Sequence, residues 1–232
     1  MKTELKGKTA VVTGAAGTMG RAVVEALAAD GLKVVGLDVK PYEDCLVCDI
    51  SDARAVQRAV RKIGKVDVLV NNAGILSNNK SEATTPEEWR KVLAANLDGA
   101  FYLSREVIPG MKQRRWGRIV NTCSLAAKTG GLTAGTAYAT SKGALTSLTF
   151  SLARELAPFG VTVNGISPAY VKTPMVTGQL TQAQRRAVLA QIPVGRFCEP
   201  EEFAHVVRFL VHPLAGFITG EIVDLNGGVI MD

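Results

Sequence analysis

Tyr138 and Lys142 stand four positions apart in Tyr138-Ala-Thr-Ser-Lys142, a spacing that on a helix projects both side chains from one face. A phenol and an ammonium so placed form an acid–base pair. The ordinary tyrosine pKa is near ~10, and a positive charge a few ångströms away favours the phenolate, so this phenol is expected to shift down toward a useful working range. A group of that kind exchanges a proton with an alcohol or carbonyl oxygen. Apolar residues at Ala137, Ala144, Leu145, Leu148, Leu152 and Leu156 recur at helical spacing up to Pro158, predicting a largely buried helix with the pair at its entrance. Because Tyr-x-x-x-Lys also arises by chance on helices, its weight depends on the elements that surround it.

Those elements alternate. The β-rich run Thr9–Thr13 ends at Gly14 and is followed, across Gly14-Ala-Ala-Gly17-Thr18-Met19-Gly20, by a helical stretch from Gly20 to Ala29. Strand, glycine turn and helix in that order make a phosphate cradle, because backbone N–H groups and the positive helix end face an anion. The next strand, Lys33–Asp38, ends in a carboxylate roughly 20 residues on, where a dinucleotide fold places an acceptor for adenosine ribose hydroxyls. Further strands are expected at Leu46–Ile50, Val66–Val70, Arg118–Thr122, Val161–Ile166 and Glu221–Leu225. Helices are expected at Ala53–Ile63, at Pro86–Met111 as one long or two abutting segments, at Thr181–Leu189 and at Glu199–Val211. This order implies an α/β fold, a doubly wound parallel sheet of Rossmann type in a single domain covering residues 1–232. Gly14, Asp38, Asn71, Ser124 and Pro168 lie just past strand ends and are expected to converge on one crevice.

Composition narrows the function classes. At 232 residues and 47% hydrophobic, the chain fills one core. It has no apolar run of the ~18 residues that would suggest a membrane span, and no signal peptide is expected in Met1–Lys8. A cytoplasmic setting would keep Cys45, Cys48, Cys123 and Cys198 reduced. Cys45-x-x-Cys48 has neither a second pair nor a His cluster, and with Leu46 and Val47 it reads as part of a buried strand, so no metal site is assigned. The net charge of +6 is spread along the chain, densest at Arg114, Arg115 and Arg118. Without a basic arm or aromatic platform it implies a solvated basic face and no nucleic-acid partner. His205 and His212 are read as structural.

Taken together, the chain resembles the short-chain dehydrogenase/reductase family along nearly its whole length. The motifs are Thr13-Gly14 through Gly20, Asp49-Ile50, Asn71-Asn72-Ala73-Gly74, Asn96, Ser124, Tyr138 with Lys142, and Pro168 through Val171 to Thr173. The resemblance implies that Tyr138 is the general acid/base and that Ser124 hydrogen-bonds the substrate oxygen. It also implies that Lys142 holds nicotinamide-ribose hydroxyls and that Asn96 supports a water chain to Lys142. Asp49 would sit by the adenine, Asn72 to Gly74 would line the cofactor, and Thr173 would meet the carboxamide. Gly17, Thr18 and Met19 belong to the cofactor turn, and a homotetramer is implied.

Three departures accompany the resemblance. Thr18 replaces a glycine, the Ser124–Tyr138 interval is one residue longer than usual, and Ala169 follows Pro168 where glycine is common. Gly130, Gly131 and Gly135 are expected to absorb the extra residue. Asp38 favours NAD over NADP, since its carboxylate would repel a 2′-phosphate. The segment 174–193 is expected to cover a substrate pocket for a small ketone or secondary alcohol. The stretch from Leu189 to Gly228 looks like β-ketoacyl-carrier-protein reductases, which dock their acidic carrier through two arginines beside the active-site mouth. Arg115 matches one of these and Phe159 stands at the other, so reduction of a carrier-linked, or CoA-linked, β-ketoacyl group with NADPH is the alternative.

Overall fold

The computed structural model describes residues 5–174, 178 and 181–231. Seven parallel strands form one sheet in the order β3-β2-β1-β4-β5-β6-β7. They are β1 (Thr9–Thr13), β2 (Lys33–Asp38), β3 (Leu46–Val47), β4 (Val68–Asn71), β5 (Gly117–Thr122), β6 (Val161–Pro168) and β7 (Ile222–Leu225). The chain winds outward from β1 to β3, then returns to lay β4 on the other side of β1. The carboxyl ends of β1 and β4 therefore flank the switch point where such sheets bind ligands.

Helices cover both faces. On one lie α2 (Ala53–Ile63), α4 (Gly99–Arg114) and α6 (Thr136–Leu156), packed through Val56, Val60, Leu103, Val107, Leu152 and Leu156 against Val11, Leu69, Ile119 and Val163. On the other, α1 (Thr18–Ala29) and α8 (Pro200–Val211) bury Val23, Leu27, Phe203, Val207 and Leu210 against Val12, Val68, Val120 and Ile166. Shorter helices are α3 (Pro86–Leu93), α5 (Ala126–Thr129) and α7 (Gln182–Leu189). Strands buried on both faces read as continuous Val/Ile runs, which is why they were legible as strands. No helix among the described residues is long and apolar enough to cross a membrane.

Several local expectations change. The Pro86–Met111 segment is two helices joined by a π-turn over Ala94–Asp98, and the second continues to Arg114. The third strand is only Leu46–Val47, and as an edge strand it leaves Val47 64% exposed. Cys48 is buried and Cys45 half-buried, both as free thiols. Asn71 does not enter the crevice. It is buried between strands, donating to Asn121 Oδ1 at 2.8 Å, and Asn121 in turn donates to Thr149 Oγ1 at 2.9 Å. These amides tie β4, β5 and α6 together inside an otherwise apolar layer.

The basic cluster is also not a solvated face. Arg118 is buried and stacked over Trp116, 4.6 Å from the ring centroid, while Arg114 Nε lies 3.3 Å from the buried Asp67 carboxylate. Arg115, whose guanidinium donates to Pro158 O at 2.9 Å, and Phe159 lie just before the amino ends of β5 and β6. That is the opposite end of the sheet from Ser124 and Pro168, roughly 20 Å away at the rise of an extended strand. Within one chain these two positions are not beside the active-site mouth.

Candidate active site

The glycine turn after β1 is closed by Gly17 N–H donating to Gly14 O at 3.0 Å. Gly14 has φ +65°, and a Cβ there would stand 3.0 Å from Ala73 Cα. A Cβ on Gly20 would stand 2.1 Å from Gly14 O, so α1 packs on the turn at a distance only glycine permits. Gly17 caps α1 in extended conformation, and Thr18 opens the helix without needing glycine's freedom. The turn thus survives the departure at Thr18. The first-turn N–H groups of α1 have no acceptor within the helix, and a helix terminus of this kind suits an anion.

Asn72 stitches this turn to β4. Its N–H and that of Ala73 both donate to Thr13 Oγ1 at 2.9 Å, and its Nδ2 donates to Thr13 O at 2.9 Å. Asp38, at the end of β2, accepts from Ala16 N–H and Lys40 N–H, one carboxylate oxygen each at 3.0 Å. The carboxylate is thereby fixed at the rim. Two cations flank it: Lys40, and Arg21, whose guanidinium donates to Ala16 O and lies 4.1 Å from the Tyr42 ring centroid.

A cavity of about 650 Å³ runs from the glycine turn across these groups to Ser124, Tyr138 and Lys142. Gly14, Gly17, Thr18, Met19, Gly20, Asp38, Asn72, Ala73, Gly74, Pro168, Val171 and Thr173, all singled out from sequence, line it. Asp49 and Ile50 do not line it. Asp49 Oδ1 accepts from Ser51 N–H and Oγ–H, and Ile50 fills the space that a side chain on Gly99 would need. Arg21, Thr122 and Cys123 line the cavity without having been picked out, as do Ala16 from within the glycine motif and Ala169, noted from sequence only as a departure from the family pattern. The available signal was position: each adjoins a predicted turn or strand end.

The chemical groups come from three elements. Ser124 follows β5; its Oγ accepts from Ala126 N–H at 3.1 Å, and its side chain acts on the Tyr138 phenol. Tyr138 and Lys142 are on the first turns of α6. Lys142 is buried, its Nζ donating to Thr122 O at 2.6 Å and lying 5.7 Å from the Tyr138 ring centroid. Asn96 sits in the π-turn, a form that often marks functional positions. Its Oδ1 accepts from Ile75 N–H at 2.8 Å, and its Nδ2 donates to Ile75 O and Ser141 Oγ, each at 3.0 Å. Asn96 therefore holds the chain just past Gly74 against α6.

The acidities correct the expectation of a lowered phenol. Burial pushes the Tyr138 pKa up, with the Ser124 hydrogen bond opposing it. Burial brings Lys142 down to about 8. The ammonium is directed at the Thr122 carbonyl, and desolvation outweighs attraction at this separation.

In the longer interval between Ser124 and Tyr138, Gly130 and Gly131 take φ of +71° and +83°, a backbone conformation open to glycine. The loop is held from outside: Lys80 Nζ donates to Gly131 O and Ala134 O at 2.8 and 2.7 Å, and Gly135 N–H donates to Ser77 O at 2.7 Å. Under this loop lies a second cavity of about 530 Å³, which shares Ser124, Tyr138 and Ala169 with the first. Helix α7 and Gln191 close one side through Gln184, Ala187 and Val188, so this part of the expected lid does line a pocket. Residues 175–177, 179 and 180 of the lid lie outside the described residues. Neither His205 nor His212 lines either cavity; His212 Nδ1 accepts from Leu214 N–H.

Residues 14–230 match the family model described as enoyl-(acyl carrier protein) reductase. The chain belongs to the short-chain dehydrogenase/reductase family. It is 39% identical over 244 residues to the 3-oxoacyl-[acyl-carrier-protein] reductase FabG of Vibrio cholerae, covering 98% of this chain and 99% of that one. The Escherichia coli protein of the same name is 38% identical over 243 residues, covering 97% and 98%. Among solved structures, one provisionally assigned as an NAD(P)-dependent gluconate 5-dehydrogenase from Beutenbergia cavernae, with NADP bound at low occupancy, superposes with a TM-score of 0.91 at 33% identity. It covers 97% of both chains. The protein is thus a short-chain dehydrogenase/reductase oxidoreductase, and its glycine turn, Ser124, Tyr138 and Lys142 occupy a single connected crevice.

Proposed function

We propose that this enzyme interconverts a ketone and a secondary alcohol, with a nicotinamide dinucleotide seated in the 650 Å³ cavity. The observation that carries this reading is that two cavities, one running to the glycine turn and one under the 130–135 loop, meet at the Ser124–Tyr138 hydroxyl pair. The cradle fits the group: Gly14, Gly17 and Gly20 line the cavity, glycine at 14 and 20 lets the turn pack tightly against β4 and α1, and the first-turn N–H groups of α1 have no acceptor within the helix. When bound, the dinucleotide supplies a hydride with its electron pair to the carbonyl carbon. Tyr138 gives its phenolic proton to the carbonyl oxygen as the C=O bond becomes single, Ser124 donates a hydrogen bond to that oxygen, and solvent restores the phenol. Alcohol oxidation runs the same steps backward. Lys142 and Thr173 are assigned to the nicotinamide end, and Asn96 positions the wall beside them.

For the cofactor, the fixed Asp38 carboxylate supports NAD(H), against the NADP seen in the Beutenbergia cavernae structure. A 2′-phosphate would meet that negative charge at close range, and Arg21 already has a carbonyl and a ring as partners. For the substrate, a free ketone is the first reading, because Arg115 and Phe159 offer no basic pair beside this chain's own site. The FabG relatives, named as acting on carrier-linked 3-oxoacyl groups, support a 3-oxoacyl thioester as the second. Steady-state reduction of free ketones and of acetoacetyl carrier protein, each with NADH and NADPH, tests both points. We expect NADH to be at least about tenfold more efficient and free ketones to be turned over. An NADPH advantage overturns the cofactor reading, and an advantage of about tenfold for the carrier-linked substrate promotes the second reading.

We also propose self-association as a homotetramer in a cytoplasmic setting. Phe101 on α4 and Phe150 on α6 are 42% and 50% exposed, apolar surface of the kind that subunit contacts cover. Sedimentation velocity at micromolar protein is expected to show the tetramer; a stable monomer overturns it.

A further inference from the structure

We propose that the part of the substrate entering the second cavity carries no charge, so that the enzyme selects neutral ketones and alcohols over keto acids, sugar acids and phosphate esters. This deepens the ketone/alcohol reading above and rests on it. The cavity is lined by apolar side chains such as Leu76, Leu125, Leu132 and Val188 and by the uncharged polar residues Asn78, Thr129, Thr133, Gln184 and Gln191. Among its described lining residues none is Asp, Glu, Lys or Arg.

The positive groups near the cavity are committed elsewhere. Lys80 Nζ donates to the Gly131 and Ala134 carbonyls, which makes its ammonium a brace for the loop. Lys128 Nζ lies 2.6 Å from Asp224 and Lys172 Nζ 2.9 Å from Glu199. The Arg185 guanidinium stacks 5.5 Å from the Phe197 ring centroid, and Lys142 belongs to the neighbouring cavity. Part of each nearby helix end is taken up as well. Thr181 and Gln184 close a capping box on α7, and the start of α6 donates through Gly135 and Thr136 N–H to Ser77 O and Asn79 O. A carboxylate entering this space would shed water without gaining a cation from the described lining, whereas an amide, ester or hydroxyl would exchange water for neutral polar partners.

The test uses two substrates of nearly equal shape, 3-oxohexanamide and 3-oxohexanoate, reduced by the full-length enzyme with NADH. The amide is expected to be favoured in kcat/KM by about 100-fold. Gln191→Lys, which adds a cation at the cavity wall, is expected to shift the ratio at least about tenfold toward the acid, with NADH binding followed by fluorescence to confirm an intact fold. Wild-type values within about threefold of each other overturn the proposal, as does a ratio that Gln191→Lys leaves unmoved. If neither compound is reduced while NADH still binds, the ketone/alcohol reading fails and this proposal falls with it; turnover of both at equal efficiency leaves that reading standing and removes only this one.

Discussion

Tyr138→Phe is expected to lower turnover by about 10²–10⁴-fold, the range attributable to a positioned proton donor, while dinucleotide affinity stays close to that of the parent. The substitution removes one oxygen and keeps the ring, so the packing at the start of α6 is preserved. What disappears is the hydroxyl that shares the junction of the two cavities with Ser124. Burial holds this phenol above its ordinary pKa, so across neutral pH it carries the proton that a developing alkoxide requires. Without it, charge on the substrate oxygen meets only the Ser124 hydroxyl. Turnover measured alongside fluorescence titration with NADH separates chemistry from binding. Near-parent turnover in Tyr138→Phe would show that the proton comes from elsewhere and would sink the assignment.

Gly20→Ala should abolish cofactor binding with almost as large an effect. The added Cβ would lie 2.1 Å from Gly14 O and 2.8 Å from Ala15 Cα. Both are backbone atoms, so no side-chain rotation relieves the overlap. The turn cannot simply retreat, because Gly14 packs at its own limit against Ala73 and Asn72. Relief must come from moving α1 away from β1, which separates the helix terminus from the glycine turn that together make the anion cradle. Overpacking of this kind costs about 1–3 kcal/mol of stability, and NADH affinity is expected to fall by at least about 100-fold as the cradle opens. Gly143→Ala supplies the contrast. This glycine lies within α6, and a Cβ there meets nothing within 4 Å, so the change is expected to raise stability by about 0.4–1 kcal/mol. Thermal unfolding and NADH titration of both variants check the pair. Unimpaired NADH binding by Gly20→Ala would remove the cradle from the argument.

Much of the site was legible because a parallel sheet has a simple reading rule. Runs of Val and Ile buried on both faces mark the strands, and the residue types that interrupt them mark the ligand end. Gly14, Asp38, Ser124 and Pro168 were located in this way, the Tyr138–Lys142 helix by its apolar periodicity, and Asn72 and Thr173 through the family resemblance. The rule identifies which end of a strand a residue occupies, but not which way its side chain points. Asn71 and Asn72 are adjacent at the end of β4, yet Asn71 turns inward to Asn121 while Asn72 ties down the glycine turn. Asp49 and Ile50 follow a strand just as Asp38 ends one, but β3 stops at Val47 and the chain carries them away from the cavity.

The sequence by itself determined the order of strands and helices, the glycine turn, the hydroxyl–phenol–ammonium set and the carboxylate at the ribose end, because residue type and periodicity are local properties. Only the tertiary structure decided how these groups act on one another. The direction of the Tyr138 shift depends on desolvation weighed against a charge whose distance and aim are set by packing. Arg114 and Arg118 are basic in sequence but paired or stacked in the fold, and Arg115 matches a docking residue in sequence yet lies at the far end of the sheet. The second cavity is built from Leu76, Thr129, Gln184 and Gln191, residues far apart in the chain. Its described lining carries no Asp, Glu, Lys or Arg, and the Lys80 ammonium keeps its charge but donates to the Gly131 and Ala134 carbonyls, so its field in the cavity depends on what already surrounds it.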